Sequence, residues 1–247
     1  MEYKVISRGK VFFLLILIVA ISVVPMASAA TATLTPTAQA PGGFISVAGT
    51  GFSATSAVGI GFGAEVAVTT ETLIVKSGSG LGPYRVQAAH YPMKPGTFRA
   101  QVTVTNGITL TSQVWDNGAG ALESSSAYFA SGTINYTSGE LIAYYTVDQS
   151  GYTLTRIANY THYEHNVTPA TGVMTSASGS FSANITVPSV ANGNYSVTAI
   201  DASGNLATSS LGVDVTIPEG LTIGVTMLLS SIAMLFGSRH FHKRSEI

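Results

Sequence analysis

Two kinds of hydrophobic pattern run along this 247-residue chain. Near each end lies a continuous apolar run, at residues 11–24 and 221–237. Between them apolar and polar residues alternate with a period of two, the pattern of half-buried β-strands. Val58, Ile60 and Phe62 alternate with Gly59, Gly61 and Gly63, and Val66 and Val68 continue the phase. Phe98, Ala100, Val102 and Val104 alternate up to Asn106-Gly107, the strongest short hairpin signal, after which residues 108–115 return. Residues 134–136 and 141–147 read as a second hairpin across Ser138-Gly139. Phe181, Ala183, Ile185 and Val187 alternate until Pro188 ends the strand. Tyr195, Val197 and Ala199 alternate before a turn at 201–205, and residues 206–215 read as the last strand. The prediction is an all-β body between residues 31 and 216.

The terminal runs have other meanings. Residues 1–29 read as a secretory signal peptide: Lys4, Arg8 and Lys10, then an apolar run, then small residues at Ala27 and Ala29 where a signal peptidase reads. Cleavage is expected after Ala29. The run 221–237 carries no charge and is followed by Arg239, Lys243 and Arg244. Its length is at the short end of the ~17–25 residues that span a bilayer as a helix. Basic flanks stay on the cytoplasmic side, so one carboxy-terminal transmembrane helix would place everything upstream outside the cell.

Pro218-Glu219, the apolar run and the basic end resemble the PEF-type carboxy-terminal sorting tails of archaeal surface proteins, with Gly220 where that pattern has Phe. For residues 217–247 the resemblance implies a membrane anchor. It also implies a partner, an archaeosortase-like transpeptidase that exchanges the tail for a lipid. Pro41-Gly42-Gly43 with Val47, Gly49, Gly51 and Phe52 resembles the opening of immunoglobulin-like modules common in prokaryotic surface proteins. The stretch from Gly179-Ser180-Phe181 to Asp201 resembles their second half. In such modules the glycines permit positive φ and a Phe plugs the core between two sheets. The implied organisation is a first immunoglobulin-like segment at 31–90, a β-meander module at 91–148 and a second immunoglobulin-like segment at 149–216. These make either one sandwich with an inserted meander or two modules in tandem. Tyr195 would stand where such sandwiches place a corner tyrosine.

Composition narrows the function. The chain has no Cys, so an exported body must hold itself by burial alone. Charged residues are only 9%. Residues 31–216 carry nine acids against five Lys or Arg, a net of −4 that excludes a basic footprint for nucleic acid. The densest polar cluster is Asn159 to Asn166. On a strand His162 and Glu164 would share a face and His165 would point away, a poor zinc geometry with no third ligand near in sequence. His90 reads as a lone structural histidine. No catalytic residue, metal site or cofactor is assigned, and the chain is read as a non-enzyme. The turns at 116–120 and 201–205 each carry an Asp explained by bonds to its own backbone rather than by Ca²⁺. Asn135, Asn159, Asn166, Asn184 and Asn194 each head an Asn-x-Ser/Thr acceptor sequence for glycans.

These readings converge on a membrane-anchored, glycosylated cell-surface protein with a structural or adhesive role. Its expected partners are the membrane, signal peptidase, and other surface proteins or glycans. The alternative is a carbohydrate- or ligand-binding surface module that uses the stretch 144–163, with Tyr144, Tyr145, Tyr152, Tyr160 and Tyr163 stacking on sugars.

Overall fold

A computed structural model describes residues 29–105, 109–150 and 153–214. The signal peptide before Ala29, the Asn106-Gly107 turn, Tyr152, and the tail with Pro218, Glu219, Arg239, Lys243 and Arg244 lie outside the described residues. The described chain is all-β: it forms fifteen strands in two sheets and contains no helix. Among the described residues there is accordingly no helix long and apolar enough to cross a membrane.

The first core lies between the two sheets. Strands β1 (Thr31–Thr35), β3 (Phe44–Thr50) and β13 (Phe181–Thr186) form the smaller sheet in the order β1-β3-β13. The facing layer is β2 (Ala38–Gln39), β15 (Leu206–Val213), β14 (Gly193–Asp201) and the start of β4 (Val58–Thr72). Their inward positions, among them Ile45, Val47, Val58, Ile60, Phe62, Ile185, Val197 and Leu211, are buried together. Phe52 leaves the turn after β3 and meets Phe181 edge-on at 5.3 Å. The glycines beside it act in two ways. Gly51 has a φ of 80°, but Gly49 does not need positive φ; a Cβ there would lie 2.3 Å from the Phe181 ring. Residues far apart in the chain therefore share this core, those up to residue 62 and those from 167 onward.

The second core is built by the residues between. The larger sheet runs on from β4 through β12 (Thr153–Asn166), β7 (Arg99–Thr105), β8 (Thr109–Asp116), β9 (Ala121–Ser124), β10 (Phe129–Asn135), β11 (Glu140–Tyr145), β6 (Tyr84–Gln87) and β5 (Ile74–Ser77). Only Leu73 separates β4 from β5, so the far edge of the sheet is brought back to the end of β4. The curled sheet wraps Phe98, Ala100, Val102, Val114, Ile134, Tyr136, Leu141 and Tyr160.

The long strand β4 contributes to both cores and pairs with β12, whose Tyr163 it meets at Gly61. Val58, Ile60 and Phe62 face the first core. On the other face a Cβ at Gly61 would fall 2.5 Å from the Tyr163 ring, which belongs to the second core. The alternation does not continue in phase through Val66 and Val68 as the sequence suggested. Gly63 has a φ of 94°, and the β4–β12 pairing shifts register at two places. Such irregularities bend a strand and re-aim its side chains. Val66 is exposed and Val68 packs on the second core. Three short strands, β2, β6 and β9, carry too few alternating positions to be read from sequence, and β10 begins five residues before the predicted 134.

Candidate functional site

Both Asp turns are structural and they touch. Asp116 is buried, and its carboxylate accepts from Gly96 N (2.6 Å), Phe98 N (3.0 Å) and Tyr136 Oη (2.8 Å). Asp201 is buried and accepts from Ser53 N (2.7 Å), Ser203 N (2.9 Å) and Asn205 N (3.0 Å). The bonds from Ser203 and Asn205 at Asp201 fit the sequence reading. Asp116 instead accepts from Gly96 and Phe98, distant in the chain, and the amides of its own turn, Ala119 N and Ala121 N, donate to Asn117 Oδ1. The Asp116 carboxylate thus pins distant segments together, and the Asp201 carboxylate does so through Ser53 as well as shaping its own turn. Burial, with the Asp116 bond adding to it, pushes the Tyr136 phenol well above its ordinary range.

The described tyrosines of 144–163 do not share one surface. Tyr144 is exposed, whereas Tyr145, Tyr160 and Tyr163 are buried. Their rings follow from strand alternation within a two-sided environment, and a stacking platform needs free ring faces. Tyr160 Oη donates to Glu71 and accepts from His90 N. Burial raises its pKa, and the Glu71 bond adds to this.

His90 is not isolated. Its ring stacks on His162 with centroids 4.7 Å apart, because the segment between β6 and β7 crosses β12. His90, Tyr91, His162, Glu164 and Asn166 line a shallow cavity of about 280 Å³. His165 points elsewhere, 6.1 Å from the Phe62 ring. Among the described residues no three His, Cys, Asp or Glu side chains converge as a metal set. Sequence spacing offered no signal for the His90–His162 stack.

A larger cavity, of about 380 Å³, lies at one end of the curled sheet. Val102, Ser112, Tyr145 and Gln149 line it, with Ser125, Ser126 and Tyr128 from the β9–β10 connection. Tyr128 is half exposed and stands at the rim, while Val102, Tyr145 and Gln149 are buried. Beside them lies Arg156 on β12, only 4% exposed. It pairs in register with Val102 of β7, which pairs in turn with Ser112 of β8, so the three form one inward row. The guanidinium carbon sits 5.7 Å from the Tyr84 ring centroid, within cation–π range. Tyr84 meets Tyr145 edge-on at 5.4 Å. The Gly80 carbonyl accepts from both Tyr84 Oη (3.3 Å) and Gln149 N (2.9 Å), which ties the Arg156 surroundings to the cavity wall. Burial raises the Tyr84 pKa, Asp148 adds to the rise and Arg156 opposes it. Arg156 Nε and Nη2 have no hydrogen-bond partner. The sequence reading passed over this arginine, which looks in one dimension like any polar position on a strand.

The glycan-acceptor asparagines divide by environment. Asn159, Asn166, Asn184 and Asn194 are exposed. Asn135 is half buried, and its Oδ1 accepts from Thr137 N, Thr137 Oγ1 and Ser138 N in the β10–β11 turn.

No protein-family profile, curated protein or solved structure matches this chain.

Proposed function

We propose that this chain is a membrane-anchored, glycosylated cell-surface protein with a structural or adhesive role, of the archaeal type, displaying an immunoglobulin-like β-sandwich with a second β body set into it. The observation that carries the reading is the order of parts: an export signal, an all-β body, then an uncharged apolar run with a basic end. Two features support it. Four of the five glycan-acceptor asparagines are exposed, as a modified surface requires. Tyr195 Oη donates to the Ala191 carbonyl at 2.9 Å, four residues upstream, the bond that a corner tyrosine makes in such sandwiches. Display is the mechanism: the rigid body holds its loops away from the membrane while the tail holds the body to it.

The test is fractionation of cells of the native host making either the whole chain or a chain ending at Gly220. The whole chain should stay with membranes in high salt and the shortened one should pass to the medium. Retention of the shortened protein on membranes in high salt overturns the anchor. Mass spectrometry of the mature whole protein addresses the sorting step: loss of Arg239, Lys243 and Arg244 with a lipid gained supports it, and their retention removes it.

A further inference from the structure

We propose that Asn159 carries a glycan whose first sugars lie on the indole of Trp115, two strands away on the face of the larger sheet turned from the second core; this rests on the chain being a glycosylated surface protein. Asn159 heads the acceptor sequence Asn159-Tyr160-Thr161. Its neighbours Ala158 and Tyr160 are buried, so strand alternation turns it outward, and it is exposed. Its side chain makes no hydrogen bond among the described residues, unlike those of Asn135 and Asn166.

The strand register sets what lies beside it. Asn159 of β12 pairs with Arg99 of β7, Arg99 with Trp115 of β8, and Trp115 with Glu123 of β9. The four side chains form one outward row, because Phe98, Ala100, Val114, Asp116 and Leu122 are buried on the other face. Strands stand about 4.8 Å apart, so Trp115 starts about 10 Å from Asn159, within reach of the first sugars of a glycan. Trp115 Nε1 donates to Glu123 Oε2 at 2.9 Å, which fixes the ring. The residue is half-buried although it points away from the core, so its indole lies along the sheet and keeps a face to solvent. A pyranose has an apolar C–H face that packs on such a ring, and hydroxyls that need polar partners. Arg99 supplies the N–H groups left over from its contacts with the Phe98 carbonyl and Asp116. The exposed Gln101 and Gln113 form the next row. Sites for free small molecules are concave, and an open sheet face holds a free sugar weakly. A short tether changes that, because it supplies an effective concentration of about millimolar. The occupant is therefore the chain's own glycan.

The chain has a single Trp, so its fluorescence reports Trp115 alone. The test compares the full-length protein from its native host with its Asn159→Gln variant from the same host. Peptide mass spectrometry should find glycan on Asn159 in the parent. Acrylamide quenching of Trp115 should roughly double in the variant, because no sugar then covers the open ring face. In protein made by a host without N-glycosylation the same substitution should leave quenching unchanged. Asn184→Gln, on the smaller sheet, should leave it unchanged in either host. A bare Asn159 overturns the proposal. Glycan on Asn166, Asn184 or Asn194 in that case leaves the glycosylated-surface reading standing, whereas no glycan on any acceptor removes that part of it too. An occupied Asn159 whose loss leaves quenching unaltered, or alters it no more than in unglycosylated protein, also overturns the proposal.

Discussion

The carbonyl oxygen of Gly118 occupies the place where a side chain on Gly204 would begin: a Cβ built at Gly204 falls 2.4 Å from it. The two glycines belong to the two Asp turns, one closing the second core and the other the first. Gly204 also has a φ of 91°, where L side chains are strained. Gly204→Ala should therefore cost about 2–4 kcal/mol, summing left-handed strain and overpacking. Gly172→Ala is the matched control. Its φ is 75° but nothing lies within 4 Å of its Cβ position, so strain alone applies and about 1–2 kcal/mol is expected. Denaturant unfolding of the two variants should separate them.

Gly61 and Tyr163 should behave as one unit. Gly61→Ala overpacks against the ring and should destabilise by about 1–3 kcal/mol. Tyr163→Ala opens a cavity and should cost about 3–5 kcal/mol, by analogy with other buried aromatics. In the double variant the new methyl enters the space that the ring has left. A double-mutant cycle should thus give a coupling of about 1 kcal/mol or more, with the double variant more stable than the sum predicts.

Alkaline pH should weaken the fold through its buried phenols. Burial, with the Glu65 charge adding to it and a Thr198 hydrogen bond opposing, pushes Tyr163 from 10.0 up to about 12. A folded pKa above the unfolded value favours the protonated group in the native state. Its stabilisation is full below pH 10 and is lost as pH rises from there through about 12. Two pH units correspond to about 2–3 kcal/mol for this group. Tyr136 and Tyr160 are raised in the same direction and add to the trend. Urea midpoints measured from pH 9 to 12 should fall, and Tyr163→Phe should flatten the fall.

Asp116→Ala would leave Gly96 N, Phe98 N and Tyr136 Oη without their acceptor. A loss of about 3–5 kcal/mol is expected, more than for an exposed turn Asp, whose effect is within about 0.5 kcal/mol. Thermal melts of the variant and the parent chain measure it. The same melts with added Ca²⁺ or chelator should leave the parent unchanged, because protein donors already hold both Asp116 oxygens.

Glycan occupancy should follow exposure. In protein from its native host, peptide mass spectrometry should find glycan on at least one of Asn159, Asn166, Asn184 and Asn194. Asn135 should be bare, because the turn that holds its side chain must open before the amide can be modified. Glycan on Asn135 alone would contradict this.

Alternation along the chain was enough to determine that the body is all-β, and where most of its longer strands run. A side chain's inward or outward direction on a strand is local, so Val58, Ile60, Phe62, Ile185 and Val197 could be placed in a core from their neighbours alone. The short strands β2, β6 and β9 and the bend at Gly63 escaped that logic, since two to four residues carry little period and a bulge resets it. Composition likewise marked the terminal segments and the acceptor asparagines. Tertiary structure alone decided which segments share a core, that Gly118 meets Gly204, that His90 stacks on His162, and that Arg156 lies buried beside a cavity. Each of these joins residues tens of positions apart, and their proximity depends on strand order and on how the sheet curls. Neither quantity is written in any local pattern: a charged residue on a strand looks the same in sequence whether water or Tyr84 faces it.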